Sequence, residues 1–232
     1  VRTAERISAG STVNVSVVLD SPKLWSPSSP ALHVATLSLG SGSGSDATTV
    51  RFGIRRVATK HGRFLLNGKP LFHYGPLDQG WWPDGLYTAP SDEALRYDLE
   101  GTKKLGFNMV RKHVKVEPLR WYYHCDRMGL LVWQDMPSLA FDLTSFIEQL
   151  KQGVQPEEME YSLDVEPEAA GNYRQELDAM LDALAPFPCI VAWVPFNEAL
   201  GEFDTDSILA HVEARDPTLL VVGPSGLKDT GT

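Results

Sequence analysis

An amide and a carboxylate follow directly after a long apolar run. The run covers residues 190–196, and it ends in Asn197 and Glu198. A run this apolar is typical of a strand that is buried on both faces, as in a parallel sheet flanked by helices. Chemistry in such sheets is concentrated at the carboxyl ends of the strands. Desolvation at such an end raises the pKa of a carboxyl group, so Glu198 is a candidate proton donor; alternatively, it begins a solvated loop.

The composition excludes several classes of function. The chain has 232 residues, 43% of them hydrophobic and 22% charged, which is ordinary for a globular protein. Its net charge of -9 and its pI near 5.1 argue against a nucleic-acid-binding surface. No apolar run approaches the roughly 20 residues of a membrane span. The two cysteines, Cys125 and Cys189, are too few for a zinc site. We interpret them as inert core thiols, and we expect no metal and no cofactor.

Residues 1–57 have the pattern of β-strands. Apolar and polar residues alternate over residues 12–17 and again over 32–39, which predicts half-buried antiparallel strands. The Gly/Ser-rich stretch 40–46 and the returning strand 48–54 indicate a hairpin. Strands of this kind suit part of a β-sandwich, and they are too few for a complete one.

From residue 58 onward, strands and helices alternate. A hairpin over residues 64–72, with Asn67-Gly68 at its turn, leads into a strand that is predicted to end near residues 73–75. Ser91 is placed to cap a helix whose apolar face includes Leu95, Leu99 and Leu105. The later segments are predicted strands at 107–111, 130–135, 190–196 and 219–222, and predicted helices at 117–128, 173–184 and 207–214. This alternation predicts a parallel α/β domain, either a barrel or an open sheet. A dinucleotide fold is disfavoured because no G-x-G-x-x-G turn follows a strand.

Taken in order, these segments resemble glycoside hydrolase family 2, which contains β-galactosidases, β-glucuronidases and β-mannosidases. The segments that carry the resemblance are Trp25-Ser26-Pro27, Phe52-Gly53-Ile54-Arg55, Asn108-Met109-Val110-Arg111, residues 130–135, and the strand that ends in Asn197-Glu198. The last is the most specific. The resemblance implies a partial (β/α)8 TIM barrel over residues 58–232, preceded by part of an immunoglobulin-like β-sandwich over residues 1–57.

The resemblance also implies a retaining exo-β-glycosidase, with β-galactosidase-like activity favoured. Glu198 matches the general acid/base, and Asn197 matches the residue that hydrogen-bonds the sugar 2-hydroxyl. Arg111 matches an arginine that supports the acidic cluster, and Asp135 matches an acidic position at the end of strand three. Considered as residues alone, Arg111 fits a structural ion pair equally well, and Asp135 fits a loop cap.

The chain departs from the family at two points. The better-known β-galactosidases carry a histidine three places after the strand-two arginine, whereas here that place is Val114 and the histidine is His113. A partnered, partly buried histidine is therefore favoured over substrate contact for His113. In addition, no residue matches the nucleophilic glutamate that the family carries at the end of strand seven.

The missing nucleophile leaves alternatives open. The chain is expected to be part of a longer protein or a truncated product, and a partial barrel exposes sheet edges that favour a homo-oligomer or pairing with a missing C-terminal part. A non-catalytic carbohydrate-binding remnant is the alternative function. A serine hydrolase is disfavoured because no G-x-S-x-G elbow is present.

An aromatic and acidic loop over residues 74–87 follows the first predicted barrel strand. Its tryptophans, Trp81 and Trp82, offer ring faces for a pyranose, and Asp78 and Asp84 offer acceptors for hydroxyls. We predict substrate binding for these four residues. Alternatively, the tryptophans plug the barrel mouth and the aspartates cap turns. The expected partner is a β-linked sugar, without nucleic acid or membrane, and a secreted or periplasmic location is favoured over a cytoplasmic one.

Overall fold

The computed structural model describes residues 3, 5, 10, 12–40, 46–139, 148–154, 165–197 and 201–224. Its strands are β1 His33–Leu39, β2 Asp46–Phe52, β3 Val57–Lys60, β4 Arg63–Leu66, β5 Lys69–Pro70, β6 Leu77–Asp78, β7 Met109–Lys112, β8 Leu131–Asp135, β9 Ile190–Val194 and β10 Leu220–Val221. Its main helices are α1 Asp92–Lys104, α2 Leu119–Met128, α3 Pro167–Leu184 and α4 Thr205–Arg215. None of the helices in this part of the chain is long and apolar enough to cross a membrane.

The central sheet has five strands in the order β10-β9-β8-β7-β6. All four pairings are parallel, so each strand lies beside the one that precedes it in the chain. A doubly wound sheet reverses its strand order at a switch point, whereas the wall of a (β/α)8 barrel adds strands consecutively. The predicted parallel α/β domain is confirmed, and its strand order fits a partial barrel.

The apolar strands form the core, as their sequence predicts. Every residue of β9 is buried, and Leu131 and Val132 of β8 are fully buried. Helix α3 buries Leu177 and Leu181 in the same cluster. Each such side chain contributes roughly 1.5–3 kcal/mol of transfer free energy, which makes this cluster the main source of stability.

Local signals set the ends of the helices. The Ser91 hydroxyl accepts a hydrogen bond from the Ala94 N–H at 3.1 Å and caps α1, as predicted. Leu105 is 75% exposed, contrary to its assignment to the apolar face. It is the C-cap residue of α1, still in the right-handed helical conformation, and at about 100° per residue it points well away from the direction of Leu95 and Leu99. Gly129 ends α2 in the left-handed conformation, with φ of 68°, which glycine adopts without strain.

The N-terminal segment matches the prediction only in part. Strands β1 and β2 form the predicted antiparallel hairpin, in which Leu39 pairs with Asp46. The strand predicted over residues 12–17 is wrong: residues 12–19 pair with no strand in the described part of the chain, and Val13 and Val17 are 42% and 49% exposed. Alternation marks one face of a segment, but a strand also needs a neighbour that accepts its hydrogen bonds. The sandwich therefore stays a prediction.

The segment that enters the barrel is displaced from its predicted position. The hairpin turn at Asn67 and Gly68 is confirmed, with φ of 53° and 77°. The first strand of the central sheet is β6, so the predicted end at residues 73–75 is a few residues early. Residues before β6 already run beside β7, since the carbonyls of Tyr74 and Pro76 accept its hydrogen bonds. Pro76 cannot donate in return, which delays regular pairing until Leu77.

Contacts at the amino end of β9 anchor the N-terminal segment. The buried indole of Trp25 donates to the Asp126 carbonyl at 2.8 Å. Arg55 donates to the carbonyls of Pro188 and Ile190 at 3.0 and 2.7 Å. The backbone at Gly53 packs so closely that a Cβ atom there would lie 2.5 Å from Pro188. These contacts place Trp25, Gly53 and Arg55 at the amino edge of the sheet, opposite its carboxyl edge.

Candidate active site

The carboxyl edge of the sheet brings together Arg111, Asp135 and Asn197. Arg111 lies near the end of β7, Asp135 is the last residue of β8, and Asn197 lies just beyond β9. Parallel strands end at a common edge, so residues far apart in sequence meet there.

Arg111 and Asp135 form a two-pronged ion pair. The Arg111 Nε atom lies 2.9 Å from Asp135 Oδ1, and Nη2 lies 2.9 Å from Oδ2. The Val114 N–H also donates to Oδ2, at 3.3 Å. Burial raises the pKa of Asp135, while the hydrogen bonds from Arg111 oppose that rise. Because both carboxylate oxygens have donors within the protein, Asp135 is placed to hold Arg111 in position.

Arg111 also fixes the side chain of Asn197. Its Nη2 atom donates to Asn197 Oδ1 at 2.9 Å, and Asn197 is only 7% exposed. A guanidinium group has donors only, so the amide oxygen must face it. The amide nitrogen, with its two N–H donors, then faces away from Arg111.

Glu198, the predicted acid/base, lies outside the described residues, which stop at 197 and resume at 201.

His113 contacts the end of β6. Its backbone N–H donates to the Asp78 carbonyl at 2.9 Å, and its Nδ1 lies 3.2 Å from Gln79 Nε2. The ring is half-buried and has a polar partner within the protein.

The four predicted residues of the aromatic loop have different surroundings. Asp78 ends β6, and its carboxylate pairs with Lys112 at 2.8 Å and accepts from the Gly80 N–H at 2.9 Å. Trp82 packs against the core, and its buried indole N–H has no partner among the described residues. Trp81 is 62% exposed, and Asp84 is also exposed. Only Trp81 and Asp84 therefore point substantially to solvent.

Within the described ranges, no group of three or more His, Cys, Asp or Glu side chains is arranged to hold a metal ion. Cys125 and Cys189 are both buried free thiols, as expected for core residues. Burial raises the pKa of each thiol well above its ordinary value.

Comparison with known families decides what this chain is related to. A family model described as glycosyl hydrolases family 2, TIM barrel domain, matches residues 57–229. A second model, described as glycosyl hydrolases family 2, matches residues 2–55. The chain belongs to glycosyl hydrolase family 2. The resemblance on which the sequence interpretation depended is therefore confirmed.

Two curated family 2 relatives are β-galactosidases. The β-galactosidase of Pectobacterium atrosepticum is 30% identical over 200 residues, which is 85% of this chain and 18% of that protein. Beta-galactosidase 2 of Enterobacter cloacae is 37% identical over 132 residues, 55% of this chain and 12% of that protein. The chain thus spans less than a fifth of the length of these relatives.

Solved structures show the same fold. β-Glucuronidase 3 of Bacteroides uniformis superposes with a TM-score of 0.66 at 25% identity, covering 87% of this chain and 25% of that one. The β-D-glucuronidase of Dictyoglomus thermophilum superposes with a TM-score of 0.73 at 19% identity, covering 87% and 34% of the two chains. The second likeness is one of fold alone.

A buried charge cluster beside the candidate active site was missed by sequence reasoning. Lys112, Lys115 and Glu117 are 1%, 2% and 5% exposed. The Glu117 carboxylate lies 2.9 Å from the ammonium of each lysine. Lys112 is the last residue of β7, whose first two residues, Met109 and Val110, are apolar and buried. That position was the signal available in the sequence, because a buried lysine requires an acidic partner.

Aromatic packing beneath the site was also missed. The Tyr173 hydroxyl donates to the Pro195 carbonyl, and its ring stacks on Phe196 with centroids 5.5 Å apart. These contacts fix the backbone immediately before Asn197. The stacked rings belong to α3 and to the segment just after β9, and the sequence does not specify their packing residue by residue.

Proposed function

We propose that this protein is a retaining exo-β-glycosidase of β-galactosidase-like specificity, with Glu198 as its general acid/base. The observation that carries the proposal is the convergence of Arg111, Asp135 and Asn197 at the carboxyl edge of the sheet, directly before Glu198 in the chain. The two curated β-galactosidases, 30% and 37% identical, support the choice of sugar.

In this proposal Glu198 first protonates the departing glycosidic oxygen and then deprotonates the attacking water. Asn197 donates a hydrogen bond from its amide nitrogen to the sugar 2-hydroxyl. Arg111 orients that amide by holding its oxygen, and Asp135 orients Arg111. Among these four residues, Asn197 and Glu198 touch the substrate, whereas Arg111 and Asp135 position Asn197.

A retaining enzyme needs a second carboxylate about 5–5.5 Å from the first as its nucleophile. The chain spans less than a fifth of the length of its β-galactosidase relatives, and we propose that the nucleophile belongs to another part of the barrel or to an associated chain. Homo-oligomerisation and a secreted or periplasmic location stay predictions, as does the division into domains at 1–57 and 58–232. Among the loop residues, the exposure of Trp81 and Asp84 supports substrate contact, whereas Asp78 and Trp82 are engaged within the protein.

The test is the substitution Glu198→Gln in the full-length protein, assayed on β-galactosides with good and poor leaving groups. Loss of the acid should lower kcat/KM by about 10²-fold or more for an alkyl glycoside. The loss should be smaller for a dinitrophenyl glycoside, whose leaving group needs little protonation. Glu176→Gln, at an exposed glutamate of α3, is the matched control. Near wild-type activity of Glu198→Gln on both substrates contradicts the assignment.

A non-catalytic carbohydrate-binding protein is the second candidate. The observation in its favour is the exposed ring of Trp81, on which a sugar can pack whether or not the protein is catalytic. Sugar binding measured by calorimetry, without turnover of activated β-glycosides by the full-length protein, would support it.

A further inference from the structure

Two aromatic side chains are exposed in the loop after β6. Trp81 is 62% and Tyr87 47% exposed, although large aromatic rings gain much from burial. Their ring centroids lie 5.1 Å apart with the planes inclined at 61°. Such an edge-to-face pair keeps ring surface open to solvent, where a pyranose or an aryl group can pack.

A single buried ammonium group contacts one ring of this aromatic pair and the backbone next to the other. The Lys115 Nζ atom donates to the Gly80 carbonyl at 2.7 Å, immediately before Trp81. The same atom lies 4.5 Å from the centroid of the Tyr87 ring. Glu117 neutralises it at 2.9 Å, which offsets the cost of burying the charge. Lys115 therefore links the backbone before Trp81 to the ring of Tyr87.

The backbone between β6 and Trp81 is fixed as well. Gly80 has a φ of +69°, and a Cβ atom there would lie 2.5 Å from Glu117 and 2.7 Å from the Lys115 ammonium. Its N–H donates to Asp78 Oδ1 at 2.9 Å. Because the turn is fixed from both sides, the backbone that carries Trp81 is held in place before any ligand arrives, which lowers the entropic cost of binding.

A single residue, Val114, connects the aromatic pair to the candidate active site by hydrogen bonds. The Tyr87 hydroxyl donates to the Val114 carbonyl at 3.3 Å, and the Val114 N–H donates to the Asp135 carboxylate at 3.3 Å. Arg111 and Asn197 are the next contacts in this series. In an exo-glycosidase the terminal sugar occupies the inner pocket, so an exposed pair at the rim faces the part of the substrate that leaves.

We propose that Trp81 and Tyr87 form the subsite for the leaving group, with a sugar or an aryl group as its ligand, and that Lys115 is the residue that positions it. This inference rests on the proposed glycosidase function. Trp81 supplies the contact surface, while Lys115 acts through the loop and does not touch the substrate.

The experiment compares two substrates that share a glycone, a methyl β-galactoside and a β-linked disaccharide, in the full-length protein. Trp81→Ala and Lys115→Met should each raise KM for the disaccharide about tenfold. The increase in KM for the methyl glycoside should be at least about fivefold smaller. Lys115→Arg should retain most of the preference for the disaccharide over the methyl glycoside, because it keeps the positive charge. Tyr97→Ala, at an exposed tyrosine of α1 (74% exposed), is the matched control and should behave as wild type.

Equal losses on both substrates, or no loss on either, would overturn the subsite. If Lys115→Met fails to fold, the subsite is tested by Trp81→Ala alone, because the Trp81 side chain is exposed. If the wild-type protein hydrolyses neither substrate, the proposed function fails and the subsite is tested by binding. Disaccharide titration followed by tryptophan fluorescence should then show affinity at least about tenfold weaker in Trp81→Ala. Equal affinity would refute the subsite.

Discussion

Arg111 reaches Asn197 across the intervening strand β8, through a 2.9 Å hydrogen bond from Nη2 to Oδ1. The two residues belong to strands that are not neighbours in the sheet. Asp135, at the end of the strand between them, holds the same guanidinium group through two oxygens. The orientation of the Asn197 amide therefore depends on an ion pair formed by the other two strands.

The substitution Asn197→Asp tests the N–H donors of this amide separately from its oxygen. The carboxylate keeps a partner for Arg111 but loses both N–H donors. We expect kcat/KM for a β-galactoside to fall about 10²-fold, since a hydrogen bond that strengthens in the transition state is lost. The corresponding 2-deoxy glycoside, which lacks the hydroxyl, should lose much less. Equal losses on the two substrates would mean that Asn197 does not contact the 2-hydroxyl.

Asp135→Asn leaves the Arg111 guanidinium without its counter-charge. Removing one partner of a buried ion pair typically costs about 3–5 kcal/mol, and we expect a loss of stability near the lower figure because Arg111 is partly exposed. Catalysis should fall as well, because the Asn197 amide is no longer held. Urea denaturation and kcat/KM are the measurements.

The control for this variant is Asp182→Asn, which breaks an exposed ion pair with Arg215. Exposed pairs contribute about 0–1 kcal/mol, so this change should be nearly silent in both measurements. Similar effects for the two variants would argue against a special role for the Arg111–Asp135 pair.

Asp126 should make stability depend on pH. Burial raises its pKa from 3.8 to about 7, while its hydrogen bonds with Cys189 and the charge of Arg55 oppose the rise. The folded state retains a proton that the unfolded state releases, so the contribution is complete below the unfolded pKa and is lost as the pH rises through about 7. The full change corresponds to roughly 4 kcal/mol.

Asp126→Asn tests this dependence by thermal melting across the same pH range. Asparagine keeps an acceptor for the Cys189 N–H, which lies 2.9 Å from Oδ1. The variant should lose less stability than wild type as the pH rises toward neutrality. Parallel melting curves at every pH would show that Asp126 does not titrate in this way.

Two glycine substitutions should have opposite signs. Gly129→Ala forces alanine into a left-handed conformation, and its Cβ would lie 2.5 Å from the Pro27 carbonyl oxygen. We expect a loss of more than about 1 kcal/mol. Gly101→Ala, inside α1, places its Cβ where nothing lies within 4 Å, and it should stabilise by up to about 1 kcal/mol. Chemical denaturation measures both, and a shared sign would contradict the explanation.

The sequence predicts which residues are buried better than it predicts which strands pair with each other. The apolar run before Asn197 correctly predicts β9, because a strand covered on both faces needs no particular neighbour to be recognised. The alternation over residues 12–17 is as regular as that of β1, yet only β1 has a hairpin partner to complete it. Alternation alone does not contain that information.

The site shows the same limit. Arg111, Asp135 and Asn197 are predicted at strand ends, and a common edge brings them together, although their catalytic roles stay predictions. Adjacent Trp81 and Trp82 differ, since one is exposed and the other packs against the core. The path of the loop backbone determines which of the two tryptophans is exposed. That path is set by the Lys115 and Gly80 contacts, which no local pattern encodes.

The consecutive order of strands β6 to β10 has a kinetic consequence. Each strand joins the edge left by its predecessor, so the wall can assemble progressively as the polypeptide emerges during synthesis. The pairing of β7 with β8 closes over one helix, whereas β9 must return over a much longer segment to reach β8. Since closure entropy grows with the length enclosed, we expect docking of β9, and with it Asn197, to be slower than the pairing of β7 with β8.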